Sequence, residues 1–239
     1  MRMQQDPEVY LAETAELRVD YVGAERAPIL VIDNFAKEIR SVIEHACQQE
    51  FLADASSYYP GVRARVPKSY AYSLLKPIYE KLRDVFEVPA NLRFQPRLGY
   101  YSLVTAAPAQ LSVLQRIPHF DSNNTYYLAI LHYLNDGDFG GTAFYRHKKT
   151  GFERISVERR EEYLAVLERE FAISGEPQPG YISDNTDLFE QIGVVDYKPN
   201  RLVVYPSNLL HSGIIRSEKD INADPASGRL TANIFAEFY

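Results

Sequence analysis

The sequence predicts an α+β protein that is mainly β: a double-sheet jelly roll buttressed by N-terminal helices, with a helical insertion. Three observations predict it. Apolar residues at helical spacing are concentrated in the first 90 positions. From Leu92 onward, β-branched and aromatic residues dominate in short runs, punctuated by Gly137, Gly140-Gly141 and Pro199-Asn200. Helices first and then seven or eight short antiparallel-type strands suit a sheet pair backed by helices.

The elements follow in order. Residues 1–27 are polar and read as a lead-in with an edge strand. Ile29 to Asp33 is a short apolar run and reads as a strand. Asn34 is a cap for a helix over about 36–50, with Ile39, Val42, Ile43 and Ala46 on one face. Residues 58–67 hold two prolines and a glycine and read as a loop. A second helix runs over about 69–86, kinked or split at Pro77. Strands are expected near 92–104, 110–117, 126–134, 142–148, 201–206, 210–216 and 229–238. Between the fourth and fifth of these lies the insertion, about 152–198. Its first half is helical, with Tyr163, Leu164, Leu167 and Phe171 as a stripe. Its use is left as a lid or a homodimer contact. The whole, 1–239, is expected as one domain: 1–90 in support, 91–239 as the β core.

Composition narrows the function classes. A length of 239 residues with 46% hydrophobic residues suffices for a sizeable buried core. The net charge of -6, with no basic stripe, speaks against nucleic acid. No apolar run approaches a membrane span, and Met1 to Tyr10 carries no apolar leader. A cytoplasmic protein is expected. The single cysteine, Cys47, sits in a helical stretch and is expected to be buried and inert.

The chain has five histidines, and a lone histidine most often has only a packing role. His119 differs, because Asp121 follows at i+2 in Pro118-His119-Phe120-Asp121. In an extended segment both side chains face one way. His211 follows an apolar strand and a turn, Leu202 to Leu210, and antiparallel sheets bring such strand ends together. Two imidazoles and one carboxylate on one face of an octahedron leave three positions open, the facial triad of non-haem Fe(II) oxygenases. An organic acid cosubstrate needs its own clamp, and Arg229 with Thr231, two apart on the last strand, offers a guanidinium and a hydroxyl. Arg216 competes for that place. His132 and His147 read as structural, and Asn123-Asn124 as a turn.

From about Leu98 to Tyr239 the chain resembles the 2-oxoglutarate- and Fe(II)-dependent dioxygenase superfamily, especially its prolyl-hydroxylase-like branch. The pieces come in the family's order: Pro118-His119-Phe120-Asp121, the strand Tyr127 to Asn135, Gly140-Gly141-Thr142, the strand Arg201 to Ser207 with His211, and Arg229-x-Thr231. The resemblance implies a distorted double-stranded β-helix. It also implies conversion of 2-oxoglutarate to succinate and CO2, coupled to oxidation of a small molecule, such as an amino acid, or of a protein side chain. His119, Asp121 and His211 then hold Fe(II). Arg229 and Thr231 hold 2-oxoglutarate, Leu131 lines its pocket, and of Tyr100 and Tyr101 the latter is assigned a hydrogen bond to it. Arg229 comes later after His211 than is usual among relatives; a polar hairpin loop over 217–228 accounts for it. Relatives that halogenate usually lack the carboxylate, so Asp121 points to hydroxylation or another oxidation. The rival reading is a cupin-like protein that binds a metal or ligand without redox chemistry; an interaction protein with an accidental triad is the third. The loop Tyr58 to Arg65 is aromatic and basic, and would suit an acidic or aromatic substrate if it reaches the site mouth.

Overall fold

The computed structural model describes residues 6–54 and 57–239, so the sequence readings that touch 1–5 and 55–56 lie outside the described residues. Eleven strands and four α-helices are described, in this order: β1 (Glu16–Val22), β2 (Ala27–Asp33), α1 (Ile39–Ala46), β3 (Leu52–Ala53), β4 (Gly61–Arg65), α2 (Lys68–Leu75), α3 (Tyr79–Val85), β5 (Phe94–Val104), β6 (Tyr127–Tyr133), β7 (Thr142–His147), α4 (Val157–Ser174), β8 (Phe189–Val195), β9 (Leu202–Pro206), β10 (His211–Gly213) and β11 (Thr231–Phe238). The protein is mostly β. Its strands form an eight-stranded sheet, β1-β2-β9-β6-β11-β5-β4-β3, and a three-stranded sheet, β10-β7-β8. Every strand pairing is antiparallel.

Side-chain alternation along the strands makes the layers. On β2, β6, β9 and β11 the residues Leu30, Ile32, Leu128, Ile130, Leu202, Val204, Ala232 and Ile234 pack with α1 to α3 on one face of the large sheet. Their alternates Ile29, Val31, Ala129, Tyr133, Val203 and Tyr205 meet Phe144 and Val195 of the small sheet. The two sheets therefore pack face to face, as period-2 strands with two apolar faces require. On the far side of the small sheet, Ala143, Tyr145 and Phe189 pack against Tyr163 and Leu167 of α4. Arg201, just before β9, ties that strand to the end of its neighbour β2: its Nε and Nη2 donate to the two oxygens of Asp33 at 2.5 and 3.0 Å.

Several expectations shift. The first helix is shorter, with Glu38 rather than Asn34 at its N-cap position; Asn34 takes a positive φ of 50° in the turn after β2. The second helix is split by a 3-10 turn at Lys76–Ile78 that contains Pro77, as expected. Part of the loop read over 58–67 is strand β4. Gly61 permits it, because a Cβ there would stand 2.0 Å from the Leu103 carbonyl of the paired strand. The strand expected at 110–117 is absent. Two 3-10 turns, Pro108–Gln110 and Val113–Gln115, stand in its place. The Gln110 and Gln115 side chains accept the backbone N–H groups of Ala107 and Ser112 at 2.8 Å, which satisfies locally what a ladder would otherwise bond. The insertion carries α4, as expected, but also β8, which pairs with β7. The strand expected over 210–216 ends at Gly213, and Arg216 N–H turns to the buried Asp220 carboxylate at 2.5 Å. Cys47 is exposed, not buried, because it follows the last turn of α1. Among the described residues no helix is long and apolar enough to cross a membrane.

Candidate metal centre and its cavity

His119 and His211 are brought together by backbone. Each donates its N–H to the other's carbonyl at 2.9 Å, an isolated antiparallel bridge. Asp121, two residues on, is fixed by its own N–H to the Ser207 carbonyl at 2.8 Å. The side chains converge as the i, i+2 spacing predicts. His119 Nε2 lies 3.8 Å from Asp121 Oδ1, and His211 Nε2 lies 3.5 Å from Asp121 Oδ2. The two rings are 4.3 Å apart. One donor atom from each residue falls within 4.8 Å of the others.

The donor set has the right protonation for a cation. His211 Nδ1 lies 2.8 Å from the Leu209 carbonyl. A carbonyl only accepts, so Nδ1 carries the proton and Nε2 turns its lone pair to the centre. Burial pushes the His211 pKa down to about 4. Burial and the neighbouring His211 push His119 down as well, against the pull of Asp121. Burial raises the Asp121 carboxyl, opposed by His119. One nitrogen from each imidazole and one carboxylate oxygen can thus reach a single point.

These three residues line a cavity of about 770 Å³ between the sheets, well within the roughly 300–1,000 Å³ of ligand sites. Arg229 and Thr231 line the same cavity, on or just before β11. Arg229 is 4% exposed and donates through Nε to the Gly140 carbonyl at 2.7 Å and through Nη2 to the Gly141 carbonyl at 3.1 Å. Its guanidinium stands over the rings of Tyr133 and Tyr197, at 5.6 and 5.9 Å. Among the described residues it has no ion pair. The Gly140-Gly141 turn must be glycine: a Cβ at Gly140 would stand 2.0 Å from the Ile214 carbonyl, and one at Gly141 2.0 Å from that of Val195. Arg216, the competing arginine, is not on the cavity wall; it pairs with Asp138 and Asp220.

Leu131 lines the cavity, as expected. Tyr101 does not. Its ring is buried in the helix-side core, with its hydroxyl 3.3 Å from His45 Nδ1. In the second half of β5, Tyr100 and Val104 line the cavity while Tyr101 and Leu103 face the helix-side core. His132 and His147 have structural partners: Tyr70 and Asn200 for the first, Thr150 and Glu170 for the second. Asn124 makes a turn, its Oδ1 accepting from the Tyr126 N–H.

The loop over 58–65 does reach the cavity, through Tyr58, Tyr59, Pro60 and Arg63, but sequence reasoning gave Tyr59 no role of its own. Its hydroxyl is buried with no hydrogen-bond partner. The Ser102 and Thr231 hydroxyls lie near it, and Arg229 and Arg63 pull its pKa down, while burial pushes it up to about 12. The aromatic run at 58–59 was the available signal. Gly213 was also missed. It lies two residues after His211, and a Cβ on it would lie 3.9 Å from Arg229 Nη2.

Residues 13–236 match the model of a family of unknown function, DUF6445. The chain belongs to that family. No curated protein sequence matches this DUF6445 member. Among solved structures, HygX from Streptomyces hygroscopicus, with nickel and 2-oxoglutarate bound, is 12% identical at a TM-score of 0.46, covering 89% of this chain and 84% of that one. EvdMO1 is 12% identical at a TM-score of 0.32, covering 93% and 55%. At such values neither likeness carries functional weight.

Proposed function

We propose that this DUF6445 protein is an Fe(II)- and 2-oxoglutarate-dependent oxygenase that hydroxylates a small molecule or a protein side chain. One observation carries the reading: a His-Asp-His donor set and a buried guanidinium with no acidic partner among the described residues line the same cavity. A metal-binding protein of the cupin kind, without redox chemistry, has no need of that guanidinium.

The residues fit the two groups. His119, Asp121 and His211 would hold the metal and leave open positions for an oxygen-donor chelate and O2. Arg229 would take the distal carboxylate of 2-oxoglutarate, since a guanidinium binds carboxylate in a fork and this one has two donors committed to the Gly140-Gly141 turn. The orphaned Tyr59 hydroxyl and Thr231 would add hydrogen bonds beside it. Leu131 would pack against the carbon chain. Fe(II) held there would activate O2, whose four reducing equivalents would come from oxidative decarboxylation of 2-oxoglutarate (two) and from the substrate C–H bond (two), the net change being R–H, 2-oxoglutarate and O2 to R–OH, succinate and CO2. The chain's own contribution is orientation, exclusion of water and retention of neutral imidazoles.

The same reading takes the two-sheet core as a distorted double-stranded β-helix and the chain as one domain. In support, strands from 1–90 and from 91–239 share one sheet. The test is anaerobic purification followed by an assay for succinate and CO2 from 2-oxoglutarate. Slow turnover that needs Fe(II) and O2, and is absent in His119→Ala and His211→Ala, supports the proposal. Retained stoichiometric metal binding in both variants would remove the triad.

A further inference from the structure

Part of the cavity is used neither by the metal centre nor by Arg229. Its rim is built from the loop before β4, the segment 106–118 and α4. The Tyr58 carbonyl accepts Gln115 Nε2 at 3.1 Å, which ties the first two together. Tyr181 donates its hydroxyl to the Ala106 carbonyl at 2.7 Å, which fixes its ring on the same wall. Helix α4 contributes Arg160 and Leu164, one turn apart. Phe120, between His119 and Asp121, stands edge-on to Tyr163 of α4 at 6.2 Å, so the aromatic wall continues to the metal centre.

The charges at this end do not cancel. Arg63 pairs with Asp54 at 2.5 Å and lies over the Tyr100 ring at 4.2 Å. Arg160 is exposed, lines the cavity, and has no ion pair among the described residues. One guanidinium without an ion pair therefore stands on a wall that also carries Tyr58, Tyr163 and Tyr181, in a chain whose net charge is -6. The surrounding field repels anions, so a local cation on the wall is what an anionic ligand would need.

Given the oxygenase reading, on which this rests, we infer that the substrate is a small organic anion with a flat apolar or aromatic body. Its acid group pairs with Arg160, its body lies against Tyr58 and Tyr181, and a C–H bond is presented to the centre past Phe120. A cationic substrate would meet the unpaired guanidinium of Arg160, while Asp54 is already engaged by Arg63. An uncharged polyol would leave Arg160 unused. The cavity volume of about 770 Å³ accommodates such a molecule beside a cosubstrate of ten heavy atoms.

The test uses the full chain loaded with redox-inert Ni(II) and saturating 2-oxoglutarate. Calorimetric titration is made with matched sets: 3-phenylpropanoate, its amide and 3-phenylpropylamine, and 2-naphthoate with its amide and amine. The expected result is that the carboxylates bind about tenfold or more tighter than their amides, and the amines most weakly. Arg160→Gln should bring the carboxylates to the level of the amides and leave 2-oxoglutarate affinity unchanged; Arg160→Lys should recover part of the loss. Arg160 is exposed on a helix, so neither variant threatens the fold. Amides or amines binding as tightly, no binding by any member, or carboxylate binding indifferent to Arg160→Gln would overturn the inference. Failure of the loaded protein to take up 2-oxoglutarate would instead overturn the reading of the site itself.

Discussion

Replacing Arg229 with Met removes the guanidinium behind the metal centre and keeps an apolar stem of similar reach. Two effects then separate. A charge-assisted hydrogen bond to a carboxylate contributes roughly 1.5–3 kcal/mol. Its loss should weaken 2-oxoglutarate binding about ten- to a hundredfold. The Gly140 carbonyl also loses its Arg229 donor at 2.7 Å inside a buried region, while the Gly141 carbonyl keeps the Ile214 N–H at 3.0 Å. A stranded buried acceptor costs roughly 1–3 kcal/mol, so the melting temperature should fall by several degrees. Iron affinity should not change, because Arg229 is not among the donors. The assay is an anaerobic titration of 2-oxoglutarate at fixed Fe(II), followed by the visible charge-transfer band of the chelate. Tyr59→Phe in the same titration should show a different signature. It removes a buried hydroxyl that makes no well-formed hydrogen bond among the described residues, so the unliganded protein should lose little stability, while 2-oxoglutarate binds about three- to tenfold more weakly. An unchanged 2-oxoglutarate affinity in Arg229→Met would refute the clamp, whatever the stability change.

Two further outcomes are expected. Gly213→Leu should fold, because a Cβ there meets only ordinary contacts, 3.6 Å from Ile215 Cδ1 and 3.9 Å from Arg229 Nη2. Its longer side chain should crowd the space before Arg229, so metal binding survives and 2-oxoglutarate binding drops more than about tenfold; normal cosubstrate binding would mean the pocket lies elsewhere. His132 is fully buried, bonded to Tyr70 Oη at 2.8 Å and Asn200 Oδ1 at 3.1 Å, and burial holds its pKa at about 4. Between the ordinary histidine value and 4, the unfolded chain takes up a proton that the folded chain refuses. Stability should therefore fall as pH drops through that window, by up to roughly 3 kcal/mol from this group. Denaturant melts at pH 7, 5 and 4 should show a smaller pH slope in His132→Gln; an equal slope would place the proton elsewhere.

What the sequence made legible was local. The convergence of His119 and Asp121 needs only an extended backbone, and that is what the bridge to His211 provides. Arg229 was singled out because a carboxylate clamp would demand its chemistry; the structure puts it on the cavity wall, after the 217–228 segment and just before β11. The failures needed long-range information. Strand β5 was read correctly, but its phase was not, and a one-residue error exchanges Tyr100 for Tyr101. Apolar Leu111, Val113 and Ile117 mimic a strand, while Arg116 instead donates to the Leu111 and Pro177 carbonyls and folds the segment onto itself. Strand β8 hides because Glu190, Gln191 and Gly193 break its pattern at the edge of the small sheet. Tyr59 looked like a turn residue. Its hydroxyl is buried beside Ser102 of β5 and Thr231 of β11, neighbours that lie far off in sequence.

The central claim is that His119, Asp121 and His211 hold a metal to which 2-oxoglutarate binds. Anaerobic spectra of the wild type and of Asp121→Ala, with Fe(II) and 2-oxoglutarate added singly and together, test it most directly. The account predicts a visible charge-transfer band in the wild type that needs both additions, and its loss or marked weakening in Asp121→Ala. No band in the wild type, with metal still bound, would contradict the account and leave a metal-binding protein without this cosubstrate.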